Sequence, residues 1–110
     1  MKNINFLDLK IKYNEKGLVP VIVQDKTTDE VLMMAWMSSD SLEQTIKTRS
    51  MVYWSRSRNE LWSKGQTSGN TQQLVELVID CDQDCLLAIV NQFGSACHTN
   101  NKSCFFRLIQ

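Results

Sequence analysis

Residues 80–84 combine three carboxylates and one thiol within five positions, at the end of a long apolar run. In an extended strand, side chains alternate between two faces, so Asp80, Asp82 and Asp84 would share one face while Cys81 points to the other. The carboxylates suit a hard cation such as Mg²⁺ or Ca²⁺, whereas the thiol suits zinc. The same pattern is typical of a polar hairpin turn that binds no metal. The stretch by itself leaves both interpretations open.

Two further cysteines, Cys97 and Cys104, flank a short polar loop in which both thiolates could reach one ion. Together with Cys81 they could form a three-sulfur zinc site whose open fourth position admits water that ionises near neutral pH. The alternatives are small buried apolar residues or a disulfide. His98, the only histidine of the chain, could be the fourth zinc ligand, but the sequence favours a general acid and base beside the metal.

A basic segment occupies residues 54–70, earlier in the chain. Its cationic side chains, hydroxyls and glycines lie between and after two tryptophans. Such groups can bind phosphate oxygens, and the indole of Trp54 or Trp62 could stack on a base. The candidate substrate ligands are Arg56, Arg58, Lys64, Thr67, Ser68 and Asn70. The alternative is a solvated basic hairpin with two core tryptophans. Neither a Walker nor a Rossmann glycine pattern is present, so the helix-terminus nucleotide folds are not indicated.

Composition limits the partners of the protein. The 110 residues predict a single domain, 1–110, in which residues 1–16 form an N-terminal arm or edge strand. Twelve basic residues balance twelve acidic ones, so no global field favours nucleic acid or an anionic membrane. We expect a cytoplasmic protein, because the first residues lack the apolar core of a signal peptide. Cysteines in that reducing compartment are more often ligands or buried residues than disulfides.

The hydrophobic pattern predicts an α+β fold, β-rich and mostly antiparallel, with one main helix. Residues 21–24 and 31–37 are expected to form a hairpin whose second strand is buried on both faces. The helix is predicted at 41–47, with its N-cap oxygens in 38–40. Further strands are predicted at 51–54, 60–62, 74–79, 86–90 and 105–109. The acidic stretch then lies at the turn of a hairpin.

Together these segments resemble the phosphoribosyl-AMP cyclohydrolase family of histidine biosynthesis, and the match covers all but about the first sixteen residues. It runs through residues 17–20, 33–37, 54–58, 61–65, 67–70, 80–84, 97–99 and 103–105. The chain departs from the family pattern in three places. Ser95 replaces a usual proline, and Asn100 and Asn101 occupy a loop that often has glycine. Cys85 stands where alanine is common; it is a possible rival ligand, but we expect a small buried residue.

The resemblance implies a β-grasp-like roll in an intertwined homodimer. It also implies Mg²⁺ on Asp80, Asp82 and Asp84, and one Zn²⁺ per subunit on Cys81, Cys97 and Cys104, with Cys81 supplied by the neighbouring subunit. The implied reaction is hydrolysis of the N1–C6 bond of the adenine ring of phosphoribosyl-AMP, a small-molecule substrate, with His98 moving protons.

Two other functions remain open at this point. A nucleobase deaminase is disfavoured because the chain lacks His-x-Glu followed by Pro-Cys-x-x-Cys, and so has no glutamate for proton transfer. A zinc-stabilised module that binds a phosphorylated ligand without turnover is the alternative from another class. It would be favoured if His98 closed the zinc site.

Overall fold

A computed structural model describes residues 3–5 and 8–110. Met1, Lys2, Phe6 and Leu7 of the predicted N-terminal arm lie outside the described residues. The elements in chain order are β1 (Leu18–Asp25), β2 (Val31–Ser38), α1 (Ser39–Thr48), β3 (Val52–Ser55), β4 (Glu60–Ser63), β5 (Gln72–Ile79) and β6 (Leu86–Gln92). The predicted α+β class with one main helix is confirmed.

Four strands form one sheet in the order β2-β1-β6-β5, and β3 pairs with β4 in a separate hairpin. The neighbours β1/β2 and β5/β6 are antiparallel, whereas the central pair β1/β6 is parallel. The central strands carry the core: Val21, Val23, Ala88 and Val90 are all fully buried. A mostly antiparallel sheet is therefore correct, with one parallel pair at its centre.

Helix α1 begins two residues earlier than the sequence predicts. The side chain of Ser38 accepts a hydrogen bond from the backbone N–H of Ser41 at 3.2 Å, and the Ser41 hydroxyl accepts one from the N–H of Ser38 at 2.9 Å. This reciprocal capping fixes the start of the helix. Leu42 is buried and Ile46 packs against the core, as the predicted apolar stripe requires.

Two strand predictions are wrong. Residues 105–109 form no strand, and Leu108 is 93% exposed, because no strand of the described chain pairs with this segment. Strand β2 is not buried on both faces, since Val31 is 43% and Met34 is 44% exposed. The physical reason is its position at the edge of the sheet, where the strand has a neighbour on one side only.

The described part of the N-terminal arm contains no strand. It lies on the domain through Ile11 and Tyr13, which pack against the core, and through the N–H of Lys12, which donates to the carbonyl of Gln83 at 2.8 Å. In residues 3–5 and 8–110 there is no helix long and apolar enough to cross a membrane.

Candidate active site

The acidic stretch forms the turn between β5 and β6. A carboxylate oxygen of Asp80 accepts hydrogen bonds from the backbone N–H groups of Asp84 at 3.0 Å and Cys85 at 3.1 Å. Gln83 has a φ of 64°, which reverses the chain direction. Carboxylate oxygens of Asp80, Asp82 and Asp84 come within 4.8 Å of one another, and all three residues are exposed. The premise of an extended strand is wrong; a folded turn brings the carboxylates together.

The three carboxylates repel one another and share hydrogen bonds. Desolvation opposes ionisation of Asp80, but the backbone N–H donors of Asp84 and Cys85 outweigh it and lower the pKa of Asp80. The pKa of Asp84 is raised, first by its hydrogen bond with Asp82 and then by desolvation. A divalent cation would relieve this repulsion. Oxygen donors suit Mg²⁺ or Ca²⁺, and among the described residues this is the one set of three potential ligands that converges.

The second group of potential ligands lies on the loop after β6. The loop is closed by the N–H of Ala96, which donates to the carbonyl of Lys102 at 2.9 Å, and attached to β2 by the N–H of Cys104, which donates to the carbonyl of Leu32 at 2.7 Å. Ser103 reinforces the attachment by donating to the carbonyl of Val31 at 2.7 Å. These bonds fix both cysteine backbones relative to the sheet.

Cys97 and Cys104 are free thiols, and each is near enough to shift the pKa of the other. The pKa of Cys97 is lowered mainly by its hydrogen bond with the Thr99 hydroxyl, at 3.0 Å, and the interaction with Cys104 adds to this effect. The pKa of Cys104 is raised by desolvation and then by Cys97. The pair therefore combines one thiol whose pKa is lowered with one whose pKa is raised. Cys81 is exposed in the acidic turn and forms no three-ligand group with these two within the described chain.

The remaining reactive side chains near these groups have distinct environments. His98 is exposed and follows the buried Cys97. Cys85 is half-buried, and its thiol contacts the carbonyl of Leu86 at 3.7 Å. Its pKa is raised by desolvation and then by the negative charges of the acidic turn. Its half-buried position is the one expected of a small packed residue.

Lys64 reaches from β4 towards the cysteine loop. Its ammonium group donates to the carbonyl of Ala96 at 2.9 Å and lies 5.4 Å from the centre of the Trp62 ring. Desolvation lowers the pKa of Lys64, while the nearby thiols Cys104 and Cys97 act in the opposite direction. Of the six predicted substrate ligands, Lys64 is the one that the structure brings to the thiol pair.

Arg56 and Arg58 line a pocket of about 300 Å³ between β2 and the β3–β4 hairpin. Trp36, Trp54 and Trp62 form its aromatic walls. The sequence reasoning missed Trp36, because its position far from the other two tryptophans in the chain conceals that β2 and β3 are neighbours. The signal that could have identified Trp36 as a pocket residue is a large indole within a strand that is otherwise rich in buried apolar residues.

The other predicted ligands lie on the loop after β4. Thr67 and Ser68 are exposed, and Asn70 is half-buried. A Cβ at Gly65 would lie 2.7 Å from the Asn70 carbonyl, and a Cβ at Gly94 would overlap the Asn70 side chain. Asn70 is therefore held between two glycines, and it joins this loop to the start of the cysteine loop.

Tyr53 and Gln72 form a buried polar pair behind Trp62, one wall of the pocket. The ring of Tyr53 lies 5.6 Å from that of Trp62, and the Tyr53 hydroxyl donates to the side-chain carbonyl of Gln72. Burial, and secondarily the charge of Cys104, raise the pKa of Tyr53 well above its usual value. Tyr53 therefore stands neutral between the pocket and the cysteine loop.

The fold and these groups define an α+β protein with a carboxylate cluster that could hold a metal ion, a thiol pair, and an aromatic, cationic pocket. Within that class, the family model for phosphoribosyl-AMP cyclohydrolase matches residues 33–106. The chain belongs to the phosphoribosyl-AMP cyclohydrolase family, as its motifs predict. Every predicted catalytic, substrate-binding and metal-ligating residue lies within the matched span.

Several curated relatives support this assignment. The phosphoribosyl-AMP cyclohydrolase of Ruegeria sp. (strain TM1040) is 53% identical over 107 residues, which cover 97% of this chain and 83% of the relative. That of Roseobacter denitrificans is 52% identical over 94% of this chain and 80% of the relative. That of Jannaschia sp. (strain CCS1) is 54% identical over 87% of this chain and 81% of the relative.

Proposed function

We propose that this protein is a phosphoribosyl-AMP cyclohydrolase. It hydrolyses the N1–C6 bond of the adenine ring of 1-(5-phosphoribosyl)-AMP and gives the ring-opened formimino carboxamide ribotide of L-histidine biosynthesis. The observation that carries the proposal is that the carboxylate cluster, the thiol pair and the tryptophan pocket all lie within the span that matches the family. We also propose that it acts in the cytoplasm, where its four free cysteines stay reduced.

We assign Mg²⁺ to Asp80, Asp82 and Asp84, whose oxygens already converge. The donor chemistry of Cys97 and Cys104 fits zinc, but one chain brings only these two thiols together. The exposed Cys81 of a second copy would supply the third thiolate, giving one zinc per subunit in a homodimer. The shared site explains why an exposed thiol lies beside the acidic turn instead of near the other two.

The chain's own residues have separate tasks in this reaction. Substitution at N1 leaves the adenine ring electron-poor, so C6 is open to attack by water. Zinc held by the thiolates would supply the Lewis acidity that makes water nucleophilic near neutral pH, and Mg²⁺ on the aspartates would neutralise phosphate charge. His98, exposed beside Cys97, takes the proton from the attacking water and delivers it to N1 as the ring opens.

The cationic side chains bind the two ends of the substrate. Arg56 and Arg58 lie in the pocket, where guanidinium groups can bind phosphate oxygens through two parallel hydrogen bonds. Thr67, Ser68 and Asn70 offer hydroxyl and amide groups on the adjoining loop. Lys64, fixed on the carbonyl of Ala96, keeps a positive charge between the pocket and the thiols.

An ultraviolet assay of ring opening tests the proposal. Purified protein is given phosphoribosyl-AMP before and after treatment with a chelator, and zinc and magnesium are then added back separately. We expect turnover that is lost on chelation and recovered only with metal, and that is abolished in Cys97→Ala. Lys26→Gln, which removes an exposed ion pair with Glu76, is the control and should keep full turnover. A folded protein that binds zinc but leaves the substrate intact would support the binding-module function instead.

Subunit mixing tests the shared zinc site. Cys81→Ser and Cys97→Ser should each be inactive alone, because each lacks one ligand in every site. In a mixed dimer, one site would combine Cys97 and Cys104 of one subunit with Cys81 of the other, so activity should return. Absence of recovery, with mixed dimers present by mass spectrometry, would contradict the assignment of Cys81 to the partner.

A further inference from the structure

The tryptophan pocket contains a cation already seated on an aromatic face. The guanidinium carbon of Arg56 lies 4.8 Å from the centre of the Trp36 ring, within the range of a cation–π contact. Arg58, in contrast, pairs with Glu60 at 3.7 Å. Trp36 comes from the edge strand β2, whereas Arg56 follows β3, so the contact closes one side of the pocket.

The pocket adjoins the thiol pair through Trp62. This ring lines the pocket, and it also lies 5.4 Å from the Lys64 ammonium, which is bound to the carbonyl preceding Cys97. Trp62 therefore belongs both to the pocket and to the contact that leads through Lys64 to the cysteine loop. The volume of about 300 Å³ lies at the small end of the range for ligand sites, which suits a base better than a whole nucleotide.

An adenine substituted at N1 has the same chemical character as a guanidinium group. Its amidine is protonated near neutral pH, so the ring is flat, cationic and delocalised. An indole face attracts such a ring by stacking and by its quadrupole, and attracts a neutral adenine by stacking alone. The Arg56 side chain in the free protein is thus a chemical stand-in for the base of the proposed substrate.

We infer that Trp36 is the face that recognises the N1-substituted purine, and that Arg56 covers this face in the free protein and is displaced by the base. The inference rests on the proposed function. Displacement frees the Arg56 guanidinium, which then binds a phosphate of the same substrate. Trp36 thereby discriminates the cationic substrate base from the neutral base of AMP, and Arg56 couples occupation of the pocket to phosphate binding.

Binding of small probes to the zinc-loaded protein tests this exchange without turnover. The probes are adenosine, 1-methyladenosine and 1-methyl-AMP, titrated by calorimetry. We expect wild-type protein to prefer 1-methyladenosine to adenosine. Trp36→Leu should weaken 1-methyladenosine binding by about tenfold, since a cation–π contact in a partly desolvated site has this order of effect. Trp36→Phe, which keeps an aromatic face, should lose less.

Arg56→Gln gives the sharper result, because the two kinds of probe should respond in opposite directions. Without the competing guanidinium, 1-methyladenosine should bind several-fold more tightly than to wild type. The nucleotide 1-methyl-AMP should bind more weakly, because its phosphate loses a ligand. The matched control is Arg107→Gln: Arg107 lies 5.6 Å from the Phe106 ring, but it is outside the span that matches the family. It should change neither affinity.

Two outcomes would overturn the inference. One is an unchanged affinity of Trp36→Leu for 1-methyladenosine, provided that its thermal midpoint matches wild type. The other is weaker or unchanged nucleoside binding by Arg56→Gln. Either result can occur while wild-type protein still opens phosphoribosyl-AMP, so failure of this inference is distinguishable from failure of the proposed function.

Discussion

Tyr53→Phe should destabilise the fold because it removes the hydrogen-bond donor of a buried side-chain oxygen on Gln72. The Tyr53 hydroxyl is fully buried and donates to the side-chain carbonyl oxygen of Gln72, which is itself 1% exposed. The amide nitrogen of Gln72 donates to Gln92 at 2.8 Å and contacts the Met33 sulfur at 3.3 Å. Phenylalanine fills the same space but leaves the Gln72 carbonyl oxygen buried without its donor.

The magnitude follows from that orphaned acceptor. A buried polar group that loses its partner costs about 1–3 kcal/mol, more than the net contribution of the hydrogen bond itself. Gln72→Met should cost a similar amount, because it leaves the Tyr53 hydroxyl buried without an acceptor. In the double variant both groups are apolar. Its destabilisation should therefore be smaller than the sum of the two single effects by about 1–2 kcal/mol.

Urea unfolding at one fixed protein concentration measures the four free energies of unfolding in this cycle. The dependence of free energy on urea should be alike in all four proteins, since the same surface is exposed on unfolding. Strictly additive single effects would refute the reasoning, because they would mean that Tyr53 and Gln72 do not satisfy each other. Equal stability of Tyr53→Phe and wild type would refute it as well.

The dependence of folding stability on pH in the alkaline range gives a second check on the role of Tyr53. Burial raises the pKa of Tyr53, so the folded protein holds the phenolic proton more tightly than the unfolded chain does. The contribution of Tyr53 to stability is therefore complete below the ordinary tyrosine pKa of about 10 and declines as the pH rises above it. The stability difference between wild type and Tyr53→Phe should narrow above about pH 10. A constant difference across that range would contradict the assignment.

Three further predictions concern the acidic turn, the cysteine loop and the glycine contact. Asp82→Asn should weaken the binding of Mg²⁺, measured by calorimetry, because it removes one of the three converging carboxylates. The turn should stay folded, since its backbone N–H groups donate to Asp80 and not to Asp82. An unchanged affinity for Mg²⁺ would contradict the cluster as a metal site. The hydrogen bond from Lys102 at 2.8 Å is the main cause of the lowered pKa of the buried Asp25, so this contribution to stability is complete above about pH 4 and is lost as the pH falls further. Asp25→Asn should therefore unfold with a shallower dependence on pH below about 4, and an identical acid limb would be inconsistent with this pair. Gly94→Ala should cost about 1–3 kcal/mol, because φ is 82° and the new Cβ meets the Asn70 side chain; an unchanged thermal midpoint would count against that contact.

Local pattern was sufficient for most elements of the fold. The β1–β2 hairpin, the helix and the β5–β6 hairpin follow from apolar periodicity and capping residues, which are properties of neighbouring positions. The parallel pairing of β1 with β6 could not be predicted that way, because periodicity within a strand does not identify its neighbour. The same limit hid Trp36, which enters the pocket only because β2 lies beside β3.

At the candidate site, the argument from alternating side chains in an extended strand fails. Asp80, Asp82 and Asp84 converge as expected, but through a turn in which Asp80 accepts two backbone N–H groups, not through a shared strand face. Residues 105–109 have the composition of a strand but no partner strand in the described chain, so intrinsic preference alone did not produce one. The metal assignments, the role of His98 and the homodimer stay predictions.

Oxygen labelling tests the central claim most directly. Wild-type protein loaded with zinc and magnesium is given phosphoribosyl-AMP in heavy-oxygen water, and the product is analysed by mass spectrometry. Hydrolysis of the N1–C6 bond predicts a product heavier than the substrate by one water, with the heavy oxygen in the new carboxamide. Unchanged substrate, or a product formed by loss of the exocyclic nitrogen as ammonia, would contradict the cyclohydrolase function.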